Sequence, residues 1–333
     1  MCYTQFVAAV IEVKNLRKYF RVHKKESGLK GSVKSLFSRK YEEVKAIDGI
    51  SFEIKEGELI GFIGPNGAGK TTTLKCLSGL LYPTAGFISV LDFAPWDRKS
   101  EFQKQISLVM GQKNQLWWDL PAMETFLLNK EIYEISEKQF KQTLDELVEL
   151  LEVKDILKIQ VRKLSLGQRM KCELIAALLH SPKVLFLDEP TIGLDVVMQK
   201  KMRDFIKEYN QRFRASIILT SHYMEDVKEL CQRVIIIDQG KIVFDGQLEK
   251  VVQKFAADKM ISLVLAKKVN PREFEEIGQI KEFEFPKVVI AVRRAAAPLA
   301  AAQILQKFPV TDLNIEEPRI EDIIRQVFTG KSV

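Results

Sequence analysis

Three short runs in this chain have the residue types and spacing that phosphate chemistry needs. Gly64-Pro65-Asn66-Gly67-Ala68-Gly69-Lys70-Thr71 is a glycine-rich loop closed by a lysine and a hydroxyl. Its glycines let the backbone curl, so that N–H groups face phosphate oxygens. A helix opening near Lys70 would aim its positive dipole end at the same oxygens. Lys70 then bridges the β- and γ-phosphates, the Thr71 hydroxyl is a Mg²⁺ ligand, and Thr72 lies near the α-phosphate. The second run is Val184-Leu185-Phe186-Leu187, an apolar strand that ends in Asp188-Glu189. Two carboxylates at a buried strand end are costly unless a cation or a proton transfer uses them. Asp188 reads as the Mg²⁺ carboxylate, acting through a water. Glu189 reads as the general base for attacking water, a role that contributes about 10²–10⁴-fold.

The third run, Leu164-Ser165-Leu166-Gly167-Gln168, lies between the other two. Ser165 caps the helix that Arg169 to Leu179 would continue. A capped helix N-terminus with small residues is an anion site. The chain's own loop already serves its own phosphates. Ser165, Gly167 and Gln168 are therefore expected to meet a γ-phosphate held by a second subunit, with two nucleotides shared between two copies. His222 follows Ile217-Ile218-Leu219-Thr220-Ser221, at a strand end where open α/β sheets bind ligands. It reads as a γ-phosphate contact. His23 and His180 are read as structural.

The elements that must position these residues follow from pattern. Ala8–Val13 and Ile47–Ile54 read as strands, and Glu58–Ile63 as a buried strand running into the loop. Lys70–Leu81 reads as the helix after it. From about residue 122 to 182 the spacing is mostly helical, as in Leu144, Leu147, Leu150 and Leu151. Val184–Leu187 and Ser216–Leu219 read as parallel strands. Val234–Ile237 and Lys241–Phe244 flank Asp238-Gln239-Gly240, a hairpin turn signal. After about residue 255 the pattern changes. Strands at Ile261–Leu265, Ile280–Phe285 and Val288–Val292, with helices at Arg294–Lys307 and Ile320–Phe328, form a small α/β unit without a catalytic motif.

Composition narrows the class. The 333 residues are 46% hydrophobic and 29% charged, as in a soluble globular protein. No stretch approaches the roughly 20 apolar residues that span a bilayer, and the N-terminus does not read as a signal peptide. Any spanning must come from other chains. Cys2, Cys76, Cys172 and Cys231 form no CxxC pair, which speaks for reduced thiols and against zinc or a disulfide framework. Net charge is +7, and residues 21–45 carry eight cations against three glutamates. Val33, Leu36 and Phe37 fall at helical spacing there. The segment reads as either a solvated insertion or a contact for an anionic membrane surface, at about 1 kcal/mol per basic residue.

Motifs in this order over residues 8–250 resemble the nucleotide-binding subunit of an ABC transporter. The resemblance implies an α/β fold: an ABC-type P-loop ATPase with a RecA-like core, an antiparallel β subdomain and a helical subdomain at about 113–182. A small accessory domain, 256–333, follows. It implies ATP and Mg²⁺ as cofactors, a homodimer, a transmembrane permease as partner, no nucleic acid, and a peripheral place on the cytoplasmic face. Gln112 matches the glutamine that senses Mg²⁺ and attacking water. Asp195, in Gly193-Leu194-Asp195, matches the residue that touches the partner subunit. Phe20 or Tyr19 matches the aromatic that stacks on adenine. Leu166 stands where the family usually has Gly, while Ser165 and Gly167 keep the phosphate donors. Ser165-Leu166-Gly167-Gln168-Arg169-Met170 and Gln115-Leu116-Trp117-Trp118 are similar to the daunorubicin-resistance-like branch of drug and polymer exporters. Trp117 and Trp118 read as an interface anchor and a core residue between them, the anchor lying in a permease groove. An importer ATPase, or a soluble cassette acting on nucleic acid or ribosomes, is the alternative. A single cassette, with no long coiled coil and no cysteine-rich module, speaks against the soluble class.

Overall fold

The computed structural model describes residues 9–23, 41–111, 115–221, 223–255, 258–318 and 322–324. The chain divides into two compact units, Met1–Asp245 and Gly246–Val333.

In the first unit, β1 (Ala9–His23), β2 (Tyr41–Lys55), β3 (Leu59–Ile63) and β4 (Ala85–Val90) come first, with α1 (Lys70–Leu77) between β3 and β4. The one-turn helix α2 (Ser100–Gln103) and β5 (Ile106–Met110) follow. Then come α3 (Ala122–Ile132), α4 (Glu137–Leu151) and α5 (Leu166–Leu178). The unit continues with β6 (Val184–Asp188), α6 (Val196–Phe213), β7 (Ser216–Thr220), α7 (Met224–Leu230), β8 (Arg233–Asp238) and β9 (Lys241–Gln247).

Six strands form one sheet in the order β5-β6-β7-β3-β8-β9. The pairs from β5 to β8 are parallel. β6 and β7 are buried along their whole length, which is why their sequences are continuous apolar runs rather than alternating ones. Parallel pairing puts the C-terminal ends of β3, β6 and β7 on one edge. The phosphate loop and the Asp188-Glu189 end thus share that edge, with β7 between their strands.

The second sheet is antiparallel, in the order β2-β1-β4. β1 pairs with β4 only from Ile11 to Arg17, but with β2 out to His23. Beyond Lys18 the two strands therefore run on as a two-stranded ribbon, with Phe20, Val22, Tyr41 and Val44 exposed. The expected break at 21–45 is thus narrower: strand continues through His23 and resumes at Tyr41. The amphipathic spacing of Val33, Leu36 and Phe37 lies outside the described residues. Ile11, Ile50 and Ile88 of this sheet join Phe62, Leu74, Phe186 and Ile235 in one buried core.

α3, α4 and α5 occupy the segment with helical spacing. Phe140, Leu144, Leu147 and Leu151 form the buried stripe of α4, and Ser136 caps it by accepting from Gln139 N. The helix after the phosphate loop ends at Leu77, earlier than the spacing to Leu81 suggests. No helix among the described residues is long and apolar enough to cross a membrane.

The second unit holds α8 (Leu248–Phe255), β10 (Asp258–Leu265), β11 (Gln279–Glu284), β12 (Lys287–Arg293), α9 (Ala297–Lys307) and β13 (Val310–Glu316). Its antiparallel sheet has the order β11-β12-β10-β13. Ile261, Leu263, Val288 and Ile290 pack with Ala297, Ala300, Ala301 and Ile304 of α9. Phe274 stacks on Phe308 at 4.1 Å in the same core. Of the helix expected at Ile320–Phe328, only 322–324 are described, and they are helical.

Candidate nucleotide site

β3 delivers the chain into the loop at Gly64, and α1 takes it up at Lys70. Gly69 caps α1 with φ +109°, and a Cβ there would sit 2.4 Å from the Ala46 carbonyl oxygen. Only glycine allows that approach. Gly67 also has positive φ, but a Cβ on it would meet nothing within 4 Å. The loop's outer curve is therefore open, the shape an oxyanion needs in order to reach backbone N–H groups.

Lys70 lies folded over this loop, 6% exposed. Its Nζ donates to the carbonyls of Gly64 at 2.7 Å and Pro65 at 3.0 Å. An ammonium has three donors, so one is left over for a phosphate oxygen. Burial pulls the Lys70 pKa down, while Glu189 and Asp188 pull it back up. Thr71 on α1 donates its hydroxyl to Asp188 Oδ2 at 2.8 Å. Thr220, at the end of β7, donates to Asp188 Oδ1 at 2.6 Å. Asp188 is thus fastened from the strand beside it and from the helix after the loop. A hydroxyl and a carboxylate in contact at a phosphate loop suit Mg²⁺, which takes few protein ligands and keeps waters. Among the described residues no cluster of three metal-ligating side chains exists to suit a fully caged ion.

Glu189 follows in a left-handed turn, φ +57°. Its N–H donates to the Thr220 carbonyl at 3.0 Å and the Thr220 hydroxyl at 3.2 Å. A non-glycine residue in that region persists where its surroundings over-determine it. The structure thus brings Lys70, Thr71, Asp188 and Glu189 to one place.

A second cluster forms around Ser165. Its hydroxyl accepts from Gln168 N at 3.2 Å, and Gln168 Oε1 accepts from Ser165 N at 2.9 Å, a reciprocal capping box on α5. Ser165 is exposed and Gly167 half-buried. A Cβ on Gly167 would come within 3.0 Å of Met198 on α6, and one on Gly193 within 3.0 Å of the Leu166 side chain. Leu166 therefore fills space against Gly193 in the same chain and leaves the Ser165 N-terminus intact. Asp195 caps α6, accepting from Met198 N at 2.9 Å.

Tyr19 and Phe20 point to opposite faces of the ribbon. The Tyr19 hydroxyl donates to Asp48 Oδ1 at 2.6 Å. Phe20 is 37% exposed, with Lys18 Nζ 5.1 Å from its ring centre. Gln112 and His222 lie outside the described residues. Trp117 and Trp118 are 57% and 47% exposed, so neither is the core residue expected of one of them. Leu116 is buried in their place, while Trp118 carries the Arg169 guanidinium over its ring at 5.7 Å.

Sequence reasoning missed the hydroxyl of Thr220, the buried Asp226 and the buried Arg203. Nothing in residue type marks Thr220, whose role comes from β7 lying between β6 and β3. Asp226 is an acidic residue in the first turn of α7, where charge usually faces solvent, and nothing in the sequence marks it as buried.

Residues 47–192 match the family model for the ABC transporter, and 257–316 match that for the C-terminal domain of EvrA-like ABC transporters. The chain is 31% identical over 234 residues to the ABC transporter ATP-binding protein NatA of Bacillus subtilis, covering 70% of this chain and 95% of that one. This chain belongs to the ABC transporter ATP-binding family. It binds ATP and is an ATPase. It is also 28% identical over 302 residues to the linearmycin resistance ATP-binding protein LnrL of Bacillus subtilis, covering 88% of this chain and 96% of that one. Among solved structures, the dimeric cassette MJ0796 in a post-hydrolysis state with ADP and Pi matches with a TM-score of 0.59 at 22% identity, over 71% of this chain and 98% of that one. The ABC ATPase fold thus has its core in β3 and β5–β9, its antiparallel subdomain in β1, β2 and β4, and its helical subdomain in α3–α5.

Proposed function

We propose that two copies of this ATPase close around two ATP molecules, and that their closing works a membrane permease in the direction of export. The observation that carries the reading is that one chain holds two complementary half-sites. One is the cluster of Lys70, Thr71, Asp188 and Glu189 on the sheet edge. The other is the exposed, capped N-terminus of α5 beside Gly193 and Asp195. In the closed pair, Ser165, Gly167 and Gln168 of one copy face the γ-phosphate held by Lys70 and the backbone of residues 64–69 in the other. Thr72 sits near the α-phosphate, and Asp195 lies at the seam.

Glu189 accepts the proton of the attacking water as its oxygen bonds to the γ-phosphorus and the bond to ADP breaks. Gln112 and His222, at positions that match the family's glutamine and histidine, act on the water and the γ-phosphate. Thr71 and Asp188 would hold Mg²⁺, which when bound neutralises charge on the phosphates. Phe20 is the adenine platform. Its ring is exposed, whereas Tyr19 is turned to Asp48 by its hydrogen bond.

Export is supported by the run from Ser165 to Met170 and by the similarity to LnrL, a linearmycin resistance ATP-binding protein. The permease reading is supported by a groove of about 470 Å³ beside β5 and α3, lined by Leu80, Leu108, Gln115, Asn129, Ile132 and Tyr133. Ile132 of α3 and Leu80, which line it, are exposed. Such a partly open groove, with mixed polar and apolar walls, suits an amphipathic helix. The protein then sits peripherally on the cytoplasmic face.

Affinity and turnover separate the two half-sites. Lys70→Ala should weaken ATP binding to the single subunit. Ser165→Ala should leave that affinity within about twofold and lower kcat, because its partner arrives only with the second copy. Equal loss of affinity in both variants would contradict the assignment of Ser165 to the other copy's phosphate.

A further inference from the structure

Asp226, on α7, is a fully buried carboxylate, 0% exposed, that touches no phosphate residue directly. Its Oδ2 accepts from the Thr191 hydroxyl at 2.5 Å and from the Ser221 hydroxyl at 2.6 Å. Its Oδ1 accepts from Arg203 Nη1 on α6 at 3.0 Å. Ser221 Oγ in turn accepts from Tyr223 N at 2.9 Å. Three donors, one of them cationic, satisfy the carboxylate in the interior.

The positions of those donors in the chain give the contact its meaning. Thr191 stands two residues after Glu189, while Ser221 and Tyr223 flank His222 in sequence. β7 ends in Thr220 and is followed at once by Ser221, two successive hydroxyls with different partners: Thr220 donates to Asp188, and Ser221 donates to Asp226. Glu189 is thus bracketed. Its N–H is held by Thr220, and the chain just past it is held through Thr191 by Asp226. Between those two ties lies the left-handed φ of +57°. The second tie acts with the Ile192 N–H, which donates to the Glu189 carbonyl at 3.2 Å, in holding that strained turn. Arg203 carries the same tie to α6, the helix that Asp195 caps.

We infer that Asp226 is a positioning residue for hydrolysis: it joins the turn carrying Glu189 to Ser221, just past the end of β7, so that the base keeps one geometry. The inference rests on the reading of Glu189 as the base.

Steady-state ATP hydrolysis by the full chain tests it, with Asp226→Asn, Thr191→Val, Ser221→Ala and Glu189→Gln side by side. Asp226→Asn should lower kcat by about tenfold or more, the usual scale for losing a group that orients a reacting residue. KM for ATP should stay within about twofold, since the nucleotide contacts are untouched. Thr191→Val should lower kcat by less, and should add little once Asp226 is already Asn, because the two remove one shared bond. Folded Asp226→Asn protein with wild-type kcat would overturn the inference. If Asp226→Asn does not fold, the single-hydroxyl variants decide, and wild-type kcat in both Thr191→Val and Ser221→Ala overturns it. Wild-type turnover in Glu189→Gln would remove the base reading and this inference together. A silent Glu189→Gln beside fully active Asp226→Asn and Thr191→Val would remove the positioning role alone.

Discussion

Glu173 shows how a single buried charge can set the conditions under which this cassette is most stable. It lies on α5, 1% exposed, with Arg169 Nε 3.7 Å away. Burial pushes its pKa up to about 7, against the pull of Arg169 and of a backbone hydrogen bond from Gln115. Neither Glu173 Oε2 nor Arg169 Nε has a hydrogen-bond partner. The folded pKa is raised above that of an unfolded glutamate, so protonation favours the folded state. That stability is fully present below the unfolded value of about 4.5 and is lost as pH rises through about 7. Glu173→Gln, which mimics the protonated form, should therefore be more stable than wild type at pH 8, by on the order of 2 kcal/mol. The gain should shrink to near zero at about pH 4. Urea unfolding at the two pH values measures this, and a variant less stable than wild type at pH 8 would refute it. Residues of this kind are illegible in sequence, because an isolated glutamate on a helix reads as surface. Lys70, Thr71, Asp188 and Glu189 were legible because strand, loop and helix order fixes them. Thr220 and Asp226 depend on which strands become neighbours, and no local pattern encodes that.

At the scale of elements, legibility follows burial for most strands, the largely buried β5 being an exception. β3, β6 and β7 stand out in sequence because both faces are covered, leaving uninterrupted apolar runs. β4, β5 and β13 were not expected. Ala85–Val90 begins in turn-like residues with three exposed positions, and Val310–Glu316 is exposed at five of seven. The 18-residue helix α6 also escaped notice, since its buried residues are sparse among lysines, arginines and glutamates. Trp117 and Trp118 show the opposite error for one of the pair: one was expected in the core, yet here Leu116 is buried and both indoles lie out on the subdomain surface. Such exposure predicts that Trp117→Ala changes folding stability by no more than about 0.5 kcal/mol. If the segment meets the permease, the same change should reduce the amount of variant that stays bound to permease-containing membranes. Loss of several kcal/mol of stability would contradict the surface role, and undiminished binding would contradict the docking role.

The molecule as a whole is a cassette unit followed by a small sheet-and-helix unit, each with its own buried core. In the proposed reading the cassette carries both halves of a nucleotide sandwich, which a single chain cannot bring together. Lys70 and Glu189 prepare one face, and Ser165 with Asp195 prepares the other. Glu189→Gln should keep ATP bound, because Lys70, Thr71 and the backbone of the loop are unchanged, but should stall before hydrolysis. The decisive measurement is the mass in solution of Glu189→Gln, by light scattering on a sizing column, with and without saturating Mg-ATP. The account predicts a monomer without nucleotide and a stable dimer holding two ATP molecules with it. A Glu189→Gln protein that binds ATP yet stays monomeric at saturation would contradict it.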